Sequence, residues 1–153
     1  MNASRIGSPL TDGSSLVLRL TLAGVLLPHG LQQSLGLFGG YGFSGTMGYY
    51  THTVGLSYGV ALAVIVVLNL GPVLLVAGLG TRLAALACGL FLAGAMLTAH
   101  LPNGFFMNWY GTQHGEGYEY HLLGMGLALA LILQGGGRYA LDRVFVSRRS
   151  QTA

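Results

Sequence analysis

Residues 60–68 read Val60-Ala61-Leu62-Ala63-Val64-Ile65-Val66-Val67-Leu68, an apolar run with no polar residue in it. Inside a bilayer the backbone must satisfy its own polar groups, which leaves the α-helix and the closed β-barrel as spanning structures. A barrel strand alternates lipid-facing apolar and lumen-facing polar residues. This run does not alternate, so it reads as helix. Its flanks extend the uncharged stretch over 56–79. A helix needs roughly 20 residues to cross a hydrocarbon core about 30 Å thick, and this stretch is long enough.

Three further apolar segments lie around it. Segment 83–101 carries no charge, segment 16–34 is interrupted by Arg19, and segment 118–133 is shorter and opens at Glu119. The fourth reaches spanning length only with its first turn in the interface. Composition agrees: 52% of the 153 residues are hydrophobic and 7% charged, against about a quarter charged in soluble domains. The expectation is an all-α integral membrane four-helix bundle over 15–136, with polar tails 1–14 and 137–153. Lipid is the first partner. The chain is polar through Ser15 with no small-residue cleavage pattern, so the first segment reads as a retained helix and not a signal peptide.

Charge placement sets the orientation. There is no lysine; the cations are seven arginines. Arg82 lies in the short link Gly80-Thr81-Arg82 between the second and third segments. Arg5 precedes the first segment, and Arg138, Arg143, Arg148 and Arg149 follow the fourth. Loops 35–55 and 102–117 contain neither Arg nor Lys. The positive-inside rule then places both termini in the cytoplasm, an N-in/C-in topology in a bacterial inner membrane. The net charge of +3 does not indicate a nucleic-acid partner, because the arginines are membrane flanks and not a basic patch on a polar domain. Cys88 is the one cysteine. An enzyme that cycles a thiol pair is therefore excluded, and Cys88 reads as a small core residue.

The outer loops are aromatic. After Phe38-Gly39-Gly40-Tyr41-Gly42-Phe43-Ser44-Gly45, residues Phe43, Met47, Tyr50 and Val54 fall at helical spacing. That segment is either a short surface helix or an irregular loop. Pro102 to Tyr110 carries Trp109 and Tyr110, types that favour the membrane interface.

Ionisable groups within membrane segments mark candidate sites. Arg19, one turn inside the first helix, reads as a snorkelling interfacial anchor. Its functional alternatives are binding an anionic head group or pairing a buried acid. His29 follows Pro28, which frees the carbonyl of Gly24, and Gln32 and Gln33 share its polar face. Asn69 and Pro72 in the second helix read as polar glue at a bend, with Asn69 free to serve the Leu68 carbonyl or another helix. Gly55 and Gly59 match a G-x-x-x-G pattern, a weak pointer to a homo-oligomer. His29, His100 and Glu119 come from three helices and fall near the outer leaflet. Together they suit a hydrogen-bonded polar layer or proton handling at a quinone. In the quinone reading Asn103 orients a carbonyl, and Trp109 or Tyr110 stacks on the ring. Ligand spacing for a metal is lacking. A haem between His29 and His100 has no further support.

Several motifs resemble the DoxX family of bacterial membrane proteins. They are Leu-Arg-Leu at 18–20, Leu-Pro-His-Gly at 27–30, Phe-Gly-Gly at 38–40 and Gly-Leu-Gly-Thr-Arg-Leu-Ala-Ala at 78–85. His-Leu-Pro-Asn-Gly-Phe-Phe at 100–106, Gly-Tyr-Glu-Tyr at 117–120 and Gly-Arg-Tyr at 137–139 complete the set, in family order from about 14 to 142. The resemblance implies a four-helix inner-membrane protein. It also implies a redox theme, since some relatives are similar to a quinone-reducing thiosulfate oxidoreductase subunit and others belong to oxidative-stress systems. His29, His100 and Glu119 match the family pattern. Relatives usually carry a Glu in the second helix where Asn69 stands here. Two functions follow as expectations: a quinone-linked subunit working with a redox partner protein, or a non-catalytic scaffold that recruits a soluble partner. A transporter ranks behind both, because the second and third segments offer little polar path beyond Asn69 and Thr98.

Overall fold

The chain was analysed as a computed structural model that describes residues 9–143; Arg5, Arg148, Arg149 and the outer parts of both tails lie outside the described residues. Among the described residues there are five α-helices and no strand. Helix α1 spans Pro9–Leu35, α2 Gly42–Gly48, α3 Tyr58–Ala77, α4 Thr81–Ala95 and α5 Glu119–Gln134. Helix α2 runs on into a π-helical turn, Tyr49–Thr53. Helix α4 runs on through a π-helical turn, Met96–His100, and a 3₁₀ turn, Leu101–Asn103.

Three helical stretches are long and apolar enough to cross a membrane: Asp12–Leu35, Tyr58–Ala77 and Thr81–Asn103. Helix α5 is apolar but has 16 residues, about 24 Å at 1.5 Å per residue, and falls short on its own. Helix α1 begins earlier than the apolar pattern suggests, because its first turns pack on the segment after α5 and not in lipid. The 42–53 segment is helical. Its Met47 packs with Ala61 and Ile65 of α3, and that tertiary contact outweighs the glycines.

The four long helices pack in a closed order, α1 against α3 and α5, and α4 against α3 and α5. Their shared core holds Leu22, Leu26, Leu68, Leu75, Ala85, Cys88, Leu92 and Leu131. The Cys88 thiol is free and buried, as expected of a small core residue. The outward side of α3 is no more polar than its core side: Val66, Leu70, Val73 and Val76 are exposed. A helix apolar on every side needs an apolar solvent, which lipid supplies.

At one end of the bundle the start of α1, the α3–α4 turn and the segment after α5 meet. Gly78 and Gly80 take φ of +67° and +58° in that turn, a backbone region that disfavours side chains with a Cβ. Residues 135–143 fold across it: the Leu141 N–H donates to Ala77 O (3.3 Å) and the Asp142 N–H to Gly78 O (2.9 Å). The Asp142 carboxylate accepts the N–H groups of Gly80 (2.6 Å) and Thr81 (2.9 Å), so it caps the N-terminus of α4. Asp12 Oδ1 accepts the Arg138 N–H at 2.8 Å. Arg82 donates to Leu133 O at 3.2 Å, near the C-terminus of α5.

Arg19 belongs to this node, which corrects its reading as a lipid-facing anchor. Its side chain is fully buried and donates from Nη2 to Tyr139 O at 3.1 Å. The charge of Asp142 is within reach. Gly78 leaves the space that the guanidinium fills, since a Cβ there would overlap Arg19 Nη1.

Asp142 makes this node sensitive to acid. Burial alone would raise its carboxyl pKa, but the N–H groups of Thr81 and Gly80, the Thr81 side chain and the Arg19 charge outweigh burial and hold it below the ordinary value. A depressed folded pKa contributes stability that is complete above the unfolded value of about 3.9 and is lost as pH falls through the folded one. Asp142→Asn is therefore expected to cost about 2 kcal/mol at neutral pH. Its melting midpoint in detergent should fall less than wild type between about pH 5 and pH 3. Parallel pH curves for the two proteins would remove Asp142 from this role.

Candidate functional site

The opposite end carries the histidines. On α1 the inward stripe runs Ser15, Arg19, Leu22, Ala23, Leu26 and Gly30, all buried. His29 follows Leu26 by three residues and lies at the exposed edge of this stripe. On α5 the inward stripe is read back from Leu131 and Ala128, both buried. Seven residues before Ala128, two helical turns, stands His121. Glu119 lies nine residues before Ala128, half a turn out of phase. The histidine therefore points into the bundle.

His100 and His121 stack with ring centroids 4.1 Å apart and planes inclined by 43°. His121 is within electrostatic range of both His100 and His29. Its Nδ1 is buried and has no hydrogen-bond partner among the described residues. Two helical stretches thus bring His100 and His121 into contact, with His29 of α1 in electrostatic range of His121. Sequence reasoning selected His29 and His100 and missed His121, preferring the acid two residues earlier.

The partners of two of these rings fix their protons. His29 Nδ1 lies 3.0 Å from Gln32 Oε1, and Gln32 Nε2 donates to the Phe38 carbonyl at 3.3 Å. A carbonyl can only accept, so Gln32 presents its NH₂ to Phe38 and its oxygen to His29; Nδ1 of His29 carries the proton. His100 Nδ1 lies 2.9 Å from the backbone carbonyl of Glu116, which also requires Nδ1–H. In both neutral rings Nε2 is left as the acceptor. Phe38 holds φ of +53°, the one positive φ of a non-glycine residue among those described, so the loop that orients Gln32 carries backbone strain.

The other expected site residues fall around this cluster. Asn103 Nδ2 donates to Ala99 O (3.3 Å) and to the Glu116 carbonyl (3.1 Å), the same oxygen that His100 uses. Asn103 therefore positions the partner of His100. The Glu116 carboxylate accepts the Asn108 N–H at 2.7 Å, and Asn108 and Gln113 exchange bonds across the loop. Glu119 opens α5 with its N–H on Phe105 O at 3.0 Å. Trp109 and Tyr110 stand on the loop tip, 69% and 91% exposed, away from the bundle interior. Among the described residues no three His, Cys, Asp or Glu side chains are grouped to hold a metal ion.

Away from the histidines, Asn69 ties α3 to α1. Its Nδ2 donates to Gly30 O (3.2 Å) and Ile65 O (2.8 Å), and its Oδ1 accepts the Ser34 hydroxyl at 2.9 Å. This is the polar glue expected of it, with Gly30 and not Leu68 as the carbonyl served.

Three helical stretches of spanning length and apolar composition, with the outward side of α3 as apolar as its core side, define an integral membrane protein. The sequence profile of the DoxX family matches residues 14–101, and the chain belongs to that family. The match runs from α1 through His100 and so contains His29 and His100; His121 and Glu119 lie beyond it. No curated protein and no solved structure matches the chain.

Proposed function

We propose that this protein crosses the bacterial inner membrane four times with both termini in the cytoplasm, and that its outer-leaflet histidine cluster serves a quinone-linked redox system. Four crossings require α5 to span with its first turn, Glu119 and Tyr120, at the interface and with local thinning of the bilayer. The arginines among the described residues support the orientation: Arg19, Arg82, Arg138 and Arg143 gather at the end opposite the histidines.

The observation that carries the functional reading is the contact of His100 with His121, with His29 in electrostatic range of His121; His29 and His100 have Nδ1 engaged and Nε2 free. Neutral rings of this kind accept a hydrogen bond at Nε2, and they lie at a depth a membrane-dissolved ring can reach. When bound, a quinone would supply two-electron, two-proton chemistry. His29, His100 and His121 would hold its oxygen and carry protons, with Gln32, Asn103 and the Glu116 carbonyl fixing their orientation. Asn103 is thereby a positioning residue, and Trp109 and Tyr110 serve as interface anchors.

Extraction in mild detergent followed by chromatography of bound lipids tests this. The wild type is expected to retain quinone, counted in its oxidised and reduced forms together, at close to one per chain, and His100→Ala to retain less than a tenth of that with an unchanged melting midpoint. Equal quinone content in the two proteins would sink the reading. In its place the scaffold reading would then be favoured, in which the membrane domain only holds a soluble partner.

A further inference from the structure

We infer that the histidine cluster selects the reduced, hydroxyl-bearing form of its ring ligand, a hydroquinone, over the oxidised dicarbonyl form; this rests on the quinone-linked reading above. A quinone offers only carbonyl oxygens, which accept. A hydroquinone offers two hydroxyls, which donate. For the neutral rings the protein settles which kind of partner is wanted. Phe38 O can only accept, so Gln32 turns its amide oxygen to His29 and takes the His29 proton to Nδ1. The Glu116 carbonyl does the same to His100, and Asn103 holds that carbonyl in place from the other side. Both rings are left with a lone pair on Nε2. A hydroxyl donates to such an Nε2, whereas a carbonyl oxygen set against it would leave two lone pairs facing each other.

The proton could move only if an acid stood at Nδ1, because a carboxylate there would favour the doubly protonated ring and make Nε2 a donor. Neither Nδ1 has one. The side-chain carboxylate of Glu116 is turned away to the Asn108 N–H, and Glu119 stands out of phase with the inward face of α5. His121, the third ring, adds no acid.

The test uses the full-length protein in lipid nanodiscs under anaerobic conditions, with tetramethylhydroquinone and tetramethylquinone as probes and equilibrium dialysis as the readout. The wild type is expected to bind the hydroquinone at least tenfold more tightly. Gln32→Glu places a carboxylate at His29 Nδ1, and the ratio should move at least threefold toward the quinone. His100→Ala should weaken the hydroquinone at least tenfold. If the quinone binds as tightly as the hydroquinone or more so, the inference fails while the redox reading stands. If neither probe binds, both fail together. An unchanged ratio in Gln32→Glu, with the variant melting as the wild type does, would also overturn it.

Discussion

Replacing Gly30 by alanine is expected to lower the stability of the bundle by about 3 kcal/mol, at the upper end of the usual cost of overpacking, and to displace the neighbouring His29. A Cβ on Gly30 would overlap the Leu68 carbonyl oxygen and stand 2.7 Å from its carbon. Those are backbone atoms of α3, and no rotamer change can move them. The close approach has a cause on each helix. Pro72 has no N–H to give the carbonyl four residues earlier, so Leu68 O lacks its helical partner and can face a neighbour. Gly30 presents a bare Cα to it, a weak C–H donor. The Asn69 amide and the Ser34 hydroxyl then both bond Gly30 O, at 3.2 and 2.9 Å. Forcing α1 away from α3 also breaks the bonds that cross between them, Asn69 to Gly30 O and Ser34 to Asn69 Oδ1, at about 1 kcal/mol per bond. His29 is the adjoining residue, so its ring moves with the helix. The matched control is Gly24→Ala: Gly24 is exposed on the same helix and nothing lies within 4 Å of a Cβ built there. That variant should be neutral or slightly stabilising, since alanine is favoured over glycine in a helix by roughly 1 kcal/mol. Melting curves in detergent that fail to separate the two variants would show that α1 and α3 do not approach closely at Gly30.

The same contact shows what could be read from the sequence and what could not. Asn69 and Pro72 mark a polar bend in α3, but which carbonyl Asn69 serves depends on the helix that arrives beside it. Helices α3 and α4 were legible because an uninterrupted apolar run has one reading in lipid. The start of α1 was not, because its first turns are held by Arg138 and the segment after α5, a contact between residues 126 positions apart. In the site, His29 and His100 were visible as ionisable groups in apolar surroundings. His121 was hidden by its neighbour: Glu119 drew attention as an acid, and the phase that points His121 inward emerges only by counting back from Ala128. Trp109 and Tyr110 were legible as an aromatic loop, while their exposure away from the bundle interior depends on the closed hydrogen-bonded loop between Gly104 and Tyr118. Arg19 was misread for a different reason. Insertion scales treat a helix alone, where a long cation reaches for the head groups; here other parts of the chain fold over it.

Arg19→Ala should therefore cost more than the loss of a surface anchor, about 3 kcal/mol, from the lost charged hydrogen bond and the cavity left by a fully buried side chain. Three things go at once. The Tyr139 carbonyl loses its donor, Asp142 loses the Arg19 charge, and the volume between α1 and Gly78 empties. The guanidinium is not fully served even in the wild type, since Nε and Nη1 have no partner among the described residues. Its contribution thus comes mainly from the bond to Tyr139, the charge of Asp142 and the space it fills. Lysine can bond Tyr139 or approach Asp142 but lacks the fork to do both, so Arg19→Lys should fall between wild type and alanine. With Asp142→Asn in the same chain the losses should sum to less than their total, because an Asp142 already deprived of Arg19 has less to lose. Limited proteolysis gives the independent readout: cleavage within 138–143 should accelerate at least tenfold in Arg19→Ala, since residues 138–142 are held to the bundle partly through this side chain. A snorkelling Arg19 would behave otherwise. Its removal would cost about 1 kcal/mol or less and would leave the cleavage rate at 138–143 unchanged, and that pair of results would return Arg19 to the lipid interface.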